Sequence, residues 1–209
     1  MVCALDVERR ALAGLERPGV RFHVSGMGAE AAATAATRLV EERPRAIVAT
    51  GFCGALMPIL EAGDLVAAER VVHENTGDAF PADEVMLAAA PGRRGTLVSA
   101  THVARTPADR GALHGAAVDL ESATLARAAR DAGIPFLALR AVSDRFQDRI
   151  PDILPLLDAY GRPDRGRVAA FALRHPREIP RLIRLGRGSR RAGRALHEGV
   201  DTLLARLGA

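Results

Sequence analysis

The stretch AVDLESATLARAARDAGIPFLALRAVSD, residues 117–144, decides the fold class of this chain. Its first half predicts a helix, because apolar residues recur at helical spacing until Gly133 and Pro135 give a stop signal. Its second half, residues 136–142, is a short apolar run of strand length in which Arg140 is the one charge. A helix that feeds a buried strand is the repeating unit of α/β proteins.

An acidic residue flanks each end of this helix–strand unit. Glu121 is expected in the first turn of the helix, and Asp144 just past the strand. In an open α/β sheet, ligands bind outside the carboxyl ends of the strands. We therefore expect Asp144 at the functional site and Glu121 facing the same crevice.

The residues upstream predict a βαβ arrangement. Residues 20–24 and 46–50 are predicted strands, and the Ala-rich residues 29–42 a helix between them. Each strand runs into a glycine-containing turn, at residues 25–28 and 51–54 respectively. A strand–helix–strand order of this kind predicts a parallel sheet.

Other segments extend this pattern. Residues 1–5 predict a clipped first strand followed by a short helix, and residues 65–72 and 95–100 predict two more strands. Residues 74–83 are polar and predict a loop. Residues 101–114 form a connection long enough to contribute to an active site.

Composition excludes several classes of protein. All 29 basic residues are arginine, which together with the many Ala and Gly indicates codon bias and is weak evidence for a nucleic-acid partner. Cys3 and Cys53 have neither metal-site spacing nor a disulfide framework, which suits a reducing cytosol. Charges from Asp6 onward argue against a signal peptide, and the longest uncharged run, residues 46–60, is too short to span a membrane. We expect one cytoplasmic α/β core.

Three local motifs are weak by themselves. The sequence GMGAEA at residues 26–31 resembles a dinucleotide fingerprint, but the acid that should end the second strand is missing. A glycine turn that offers backbone N–H groups to an anion or hydroxyl is the preferred interpretation. Cys53 has no sequence-defined histidine partner, so packing is favoured over a nucleophile. His73-Glu74 lacks the second histidine of a zinc helix, and no metal site is predicted.

The composition changes after about residue 160. Residues 162–194 contain eleven arginines and two acids, with some apolar residues among them, and the apolar residues from Leu196 to Leu207 recur at helical spacing. One interpretation is a terminal helix that packs on the core with an arginine-rich solvent face. The alternative is a basic amphipathic segment on an anionic membrane surface. We divide the chain into a domain of residues 1–160 and a helical extension of residues 161–209.

Three segments together resemble the nucleoside phosphorylase and nucleosidase superfamily. They are ALDVE at residues 4–8, the stretch SGMG to GDLV at residues 25–66, and residues 117–144. The resemblance covers about residues 1–150 and implies a three-layer α/β/α fold with a central mixed, mostly parallel twisted sheet. The sequence RLIRLGRGSRRAG, residues 181–193, is similar to the hopanoid-associated phosphorylase branch.

The resemblance implies a site that cleaves a purine N-glycosidic bond through an oxocarbenium-like ribosyl transition state. Asp144 matches the aspartate that protonates purine N7 and meets the exocyclic amine, which suits adenine. Glu121 matches the glutamate that holds the ribose hydroxyls, and Glu8 the one that activates water. No metal or cofactor is implied. The implied substrate-binding residues are Gly26, Gly28, Phe52, Cys53, Gly54, Thr101, His102, Val103, Asp119, Leu120 and Ser143.

The nucleophile stays open between phosphate and water. Phe52 and Ala49 stand where many phosphorylases have a serine and an arginine that bind phosphate. Arg105 and Arg140 are candidates to compensate, but the sequence places neither. Glu8, in contrast, matches the hydrolytic members. Phosphate therefore remains a possible co-substrate.

The hopanoid branch implies adenosylhopane as the substrate, losing adenine to leave a ribosyl or ribosyl phosphate lipid. A basic amphipathic end would bring such an enzyme to the inner face of the membrane. The alternatives are a nucleosidase for a soluble adenosine derivative, such as methylthioadenosine or S-adenosylhomocysteine, and a nucleoside-binding module without turnover. The superfamily also implies a homo-oligomer, at least a dimer.

Overall fold

The computed structural model describes residues 1–208, apart from the side chain of residue 154. The strands are β1 (Val2–Cys3), β2 (His23–Val24), β3 (Ile47–Ala55), β4 (Leu65–His73), β5 (Ala79–Pro81), β6 (Arg93–Ser99), β7 (Ala117–Asp119) and β8 (Phe136–Asp144). The helices are α1 (Asp6–Ala11), α2 (Ala29–Glu41), α3 (Glu84–Ala89), α4 (Pro107–Gly111), α5 (Ser122–Asp131), α6 (Arg165–Arg174) and α7 (Ile179–Leu207). Short 3-10 turns lie at Leu154–Leu156 and Pro176–Glu178.

Strand β8 lies at the centre of the sheet. It pairs in parallel with β3 along the whole length of both strands, and antiparallel with the start of β4. Further pairs join β4 to β6, β6 to β7 and β7 to β3, so that these strands close into a ring. Strands β1 and β2 continue the sheet beyond β3, and β5 borders β4.

Alternation along β8 produces the layers, because successive side chains of a strand point to opposite faces. Phe136 and Val142 pack with residues of α2 and α5 on one face. Leu137 and Leu139 pack with residues of α7 and α3 on the other. The predicted three-layer α/β/α fold with a mixed, mostly parallel sheet is confirmed.

The glycine turn predicted at residues 51–54 is wrong, because this segment is part of β3. Gly51 has a φ of 143°, and a Cβ added there would lie 2.7 Å from Arg140 Nη1 and 2.7 Å from Glu8 Oε1. The strand therefore continues through this position only because glycine leaves room and tolerates the angle. A register shift between Cys53 and Gly54 then turns the end of the strand.

Other boundaries differ more modestly from the prediction. Residues 117–119 form β7, and helix α5 begins only at Ser122, so Glu121 is its N-cap and not part of its first turn. Asp144 is the last residue of β8 and not the first beyond it. The predicted loop at residues 74–83 contains β5, and the sequence did not indicate the short helices α3 and α4.

Helix α7 has two different halves. Leu196 and Val200, in the second half, are fully buried in the same core as β8, whereas Ile183 in the first half is 50% exposed. A Cβ added to Gly188 would lie 2.0 Å from the carbonyl oxygen of Ser143, so the helix backbone rests directly on the end of β8. The packing interpretation thus holds from Gly188 through the second half of the helix, while the boundary at residue 160 stays a prediction. No helix within the described part of the chain is long and apolar enough to cross a membrane.

Candidate functional site

A cavity of about 190 Å³ lies at the carboxyl ends of β3, β7 and β8. Glu8, Glu121 and Asp144, the three predicted catalytic residues, all line it although they come from distant parts of the chain. The predicted substrate-binding residues that line it are Phe52, Cys53, Gly54, His102, Val103, Asp119, Leu120 and Ser143. The fold therefore brings most of the predicted site residues together in one cavity.

Three predicted binding residues, Gly26, Gly28 and Thr101, are not part of the cavity lining. The N–H of Gly26 donates to a backbone carbonyl, and the N–H of Gly28 donates to Glu121 Oε1 at 2.7 Å. Thr101 donates its N–H to Glu74 Oε2 at 2.9 Å. The expectation that the glycine turn offers free N–H groups to a ligand is corrected, since oxygen atoms of the protein accept them.

Glu8 is a buried carboxylate held by three backbone N–H groups. Ala4 and Leu5 donate to Oε2 at 2.9 Å each, and Phe52 donates to Oε1 at 2.7 Å. Burial raises the pKa of Glu8, against the lowering effect of the nearby Arg140 guanidinium and of these donors. The result is a fixed carboxyl group that accepts a proton more readily than a solvated glutamate.

Glu121 is similarly buried, but it has fewer donors. Its side chain accepts the hydrogen bond from Gly28, which ties the N-cap of α5 to the turn after β2. Burial, together with the adjacent Asp119, raises the pKa of Glu121 to about 7, while Arg140 opposes the shift. Near neutral pH this carboxyl group therefore exists in both protonation states.

Arg140 pairs with Asp119 and lies near Glu121 and Glu8, but it does not line the cavity itself. Its Nη2 lies 2.5 Å from Asp119 Oδ2 and donates to Ser122 Oγ at 2.8 Å. Burial disfavours the charge, but Asp119 and the glutamates nearby outweigh it and raise the pKa of Arg140. Arg140 Nε and Thr50 Oγ1 are buried without a hydrogen-bond partner among the described residues.

Asp144, the last residue of β8, has partners different from those of Glu8, Asp119 and Glu121. The hydroxyl of Ser143 donates to Asp144 Oδ1 at 2.5 Å, and Arg110 Nη2 forms an ion pair with Asp144 Oδ2. Burial raises the pKa of Asp144, and the guanidinium of Arg110 opposes that shift. Sequence reasoning missed Arg110, because nothing in its local pattern distinguishes it from the other arginines.

The rest of the lining is mostly apolar. Cys53 is buried, and burial raises its pKa, so its thiol is protonated and packs rather than attacks. Arg105 does not line the cavity and pairs with Asp152 at 3.1 Å. No group of three or more residues within residues 1–208 is arranged to hold a metal ion. The lining residues that the sequence did not indicate are Ala4, Leu5, Met27, Ala104, Val118 and Ile150.

Comparison with known proteins bears on this site. Residues 17–113 match the model of the phosphorylase superfamily. The 5′-methylthioadenosine/S-adenosylhomocysteine nucleosidase of S. pneumoniae, solved with the transition-state inhibitor MT-ImmA, is 17% identical with a TM-score of 0.75, over 99% of this chain and 97% of that chain. The corresponding nucleosidase of Colwellia psychrerythraea 34H, in complex with adenine, is 19% identical with a TM-score of 0.72, over 99% and 93%.

A third similar structure is futalosine hydrolase of Helicobacter pylori strain 26695. It is 12% identical with a TM-score of 0.72, over 98% of this chain and 95% of that chain. At these identities the likeness shows the fold. The chain therefore has the α/β fold of these nucleosidases and, over residues 17–113, the sequence pattern of the phosphorylase superfamily, in agreement with the predicted class of enzyme.

Proposed function

We propose that this protein is an enzyme that cleaves the N-glycosidic bond of an adenine nucleoside and releases adenine. The observation that carries the proposal is the convergence of Glu8, Glu121 and Asp144 on one buried cavity. These residues come from α1, the start of α5 and the end of β8, so no local packing requirement explains why they meet. The fold of adenine-binding nucleosidases and the superfamily match support the same reaction.

The carboxylates of Glu8, Asp119 and Glu121 suit the sugar. Positive charge develops on the ribosyl ring as the bond to the base breaks, and fixed negative charges in a water-poor cavity stabilise it. Glu121 accepts hydrogen bonds from the ribose hydroxyls in this proposal. Its anchoring by Gly28 holds it in place for that contact.

Asp144 suits the base. A protonated carboxyl group donates to purine N7, while its second oxygen accepts from the 6-amino group. Burial raises the pKa of Asp144, which lets the group act as an acid nearer to neutral pH than a solvated aspartate does. The base then leaves in its neutral form.

Water is the proposed nucleophile. The cavity lining within residues 1–208 holds four acidic residues and no arginine. Arg110 and Arg140 behind the lining are paired with Asp144 and Asp119, so a phosphate anion placed there would meet more carboxyl groups than cations. Arg140, one of the candidates to bind phosphate, is already paired with Asp119. Glu8 Oε1 accepts one backbone N–H and keeps a second lone pair that is free to accept a proton from water. The reaction in this proposal needs no cofactor.

The test is adenine release from adenosine derivatives, measured by chromatography in phosphate-free buffer and with added phosphate. We expect turnover without phosphate, and at least a roughly 100-fold lower kcat for Asp144→Asn with little change in KM. Glu30→Gln, an exposed change on α2, is the control. Full activity of Asp144→Asn would contradict the assignment, and activity only with phosphate would contradict water as nucleophile. Adenine binding without release would favour a binding module.

For the substituent on the sugar we propose a hopane lipid, so that the substrate is adenosylhopane, in line with the resemblance of residues 181–193. A second cavity, of about 440 Å³, meets the first at Ile150 and gives space beyond the nucleoside. Next to it lies an exposed surface that combines arginines with Leu173, Ile179 and Ile183, which are 85%, 38% and 50% exposed. We call these three residues the α6–α7 surface. Arginine beside exposed apolar residues favours contact with an anionic bilayer at the inner membrane face.

Removing residues 162–209 would not test the membrane contact, because the second half of α7 is part of the core. We propose co-sedimentation of the full chain with anionic vesicles at low and high salt. The double variant Leu173→Ser, Ile183→Ser should bind less than the wild type while releasing adenine from a soluble nucleoside at the same rate. Val85→Ser, at a position 71% exposed on α3, is the matched control. Absence of vesicle binding by the wild type would favour a soluble substrate. A homo-oligomer and the lack of a nucleic-acid partner stay predictions.

A further inference from the structure

Arg110 stands out among the charged residues that the reaction does not use directly. It comes from the short helix α4, its side chain is fully buried, and it does not line the cavity. A buried arginine is costly unless its charge and its N–H groups are satisfied. Its contacts therefore show what keeps it inside.

All three nitrogens of the Arg110 guanidinium have partners. Nε donates to the carbonyl of Ala104 at 3.1 Å, Nη1 donates to the carbonyl of Arg145, and Nη2 pairs with Asp144 Oδ2. Ala104 lines the cavity, and Arg145 directly follows the acid. One guanidinium thus joins the connection after β6 to the end of β8.

We infer that Arg110 is a positioning residue for the base end of the site, which holds the Asp144 carboxyl in one orientation and sets the pH range in which this group protonates the leaving base. The inference rests on the proposed function. Arg110 acts through Asp144 and Ala104, since it has no face toward the cavity itself. Its role is distinct from that of Arg140, which serves the sugar end.

The charged groups around Asp144 define the expected direction of the pH effect. Arg110 on α4 stabilises the ionised form of Asp144, whereas Asp148 on the following loop disfavours it. The buried thiol of Cys53 on β3 is the other titratable group in reach. Without Arg110, the proton would stay on Asp144 to higher pH. The rate would then persist to higher pH, at a lower maximum because the carboxyl group is less well oriented.

The experiment compares the pH dependence of kcat/KM for the wild type, Arg110→Met and Arg110→Lys. For Arg110→Met we expect a kcat at least about tenfold lower. We also expect the alkaline limb of its pH profile of kcat/KM, where the rate falls as Asp144 loses its proton, to move up by about one pH unit or more. Arg110→Lys keeps the charge, so its limb should stay near that of the wild type. Arg127→Met, at a half-exposed position on α5, is the control and should change neither quantity. A lower kcat with an unmoved limb in Arg110→Met would overturn the inference.

A second measurement keeps the inference testable without turnover. If the wild type releases no adenine, the proposed function fails, and thermal unfolding then tests the pairing alone. Arg110→Met should lower Tm more at pH 8 than at pH 5, because the buried Asp144 loses its counter-charge only where it is ionised. In an Asp144→Asn background this pH difference should vanish. The same loss of Tm at both pH values would overturn the inference.

Discussion

The cavity has two ends, and each is built on a buried arginine that pairs with an aspartate. At the sugar end, Arg140 serves Asp119 and also lies near Glu121 and Glu8. At the base end, Arg110 pairs with Asp144. The sugar end thus has one cation for three carboxyl groups, and the base end one for one. In the proposed reaction, the excess of carboxyl groups lies where a cationic ribosyl group would form, and the balanced pair lies where a neutral base would leave.

Removing Arg140 should cause the largest loss of stability, because three carboxyl groups share this one cation. Arg140→Met leaves Asp119 and its neighbours without their shared cation, and breaking a buried pair from one side costs about 3–5 kcal/mol. Urea unfolding at pH 7 measures the loss of stability. The loss should shrink at pH 5, where Glu121, whose pKa is raised to about 7, becomes neutral. A loss no larger than that of Arg110→Met would contradict the contrast between the two ends.

The protonation of Glu121 gives the second prediction. Its pKa is raised from 4.5 to about 7 in the folded state, so the folded protein binds the extra proton between these values. Glu121 therefore adds about 3 kcal/mol to the free energy of unfolding below pH 4.5, and this contribution is lost as the pH rises through 7. Urea unfolding of wild type and Glu121→Gln across pH 4.5–8 measures it. The variant should lack this part of the slope, and equal slopes would show that Glu121 is not buried as described.

Gly51 tests the sugar end by geometry. A Cβ in Gly51→Ala would meet both Arg140 Nη1 and Glu8 Oε1, at a φ that L residues rarely adopt. We expect a loss of about 2 kcal/mol in stability and a lower kcat. Gly186→Ala is the control, because a Cβ there meets nothing within 4 Å and the position is helical. A neutral effect of Gly51→Ala would mean that the Glu8–Arg140 spacing is looser than described.

Gly54 is the corresponding test at the base end and should give the smallest effect. A Cβ there would lie 3.0 Å from Asp144 Oδ2 and 3.3 Å from Val118 Cγ1, at a backbone angle that alanine accepts. We expect less than about 1 kcal/mol in stability but a measurable fall in kcat, because the contact presses on the acid itself. Unfolding in urea and adenine release measure the two effects. A loss of stability in Gly54→Ala as large as that in Gly51→Ala would contradict the expected difference between the two ends of the cavity.

Much of the fold and the site followed from the sequence, for physical reasons that differ by residue. The strand at residues 136–142 was predictable because apolar runs of that length are buried strands. Glu121 and Asp144 follow from their places around the helix–strand unit and Glu8 from its resemblance to a known motif, and the structure brings the three to one cavity. The continuation of β3 through residues 51–54 was missed because glycine normally marks a turn, whereas here it relieves crowding by Arg140 and Glu8.

The pairing of charges could not be predicted. Arg110 is one of 29 chemically identical arginines, and only its tertiary contacts distinguish it from the solvated ones. Arg140 stands out in the sequence as the one charge of a predicted buried strand, but its pairing with Asp119 depends on the fold. The division of α7 was equally hidden, since both halves carry apolar residues. Burial of Leu196 and exposure of Ile183 depend on where the helix leaves the sheet.

The closed ring of strands sets an order for building the site during synthesis. Strand β8 inserts between β3 and β4, which leave the ribosome well before it, and α7 then covers its outer face. Because the ring pairs strands that are far apart in sequence, we expect closure to be slow and to wait for the last helix. A nascent chain or a proteolytic fragment that ends before α7 would therefore carry the three acids without assembling them. A stop codon placed just before α7 should abolish the function as completely as one placed before β3.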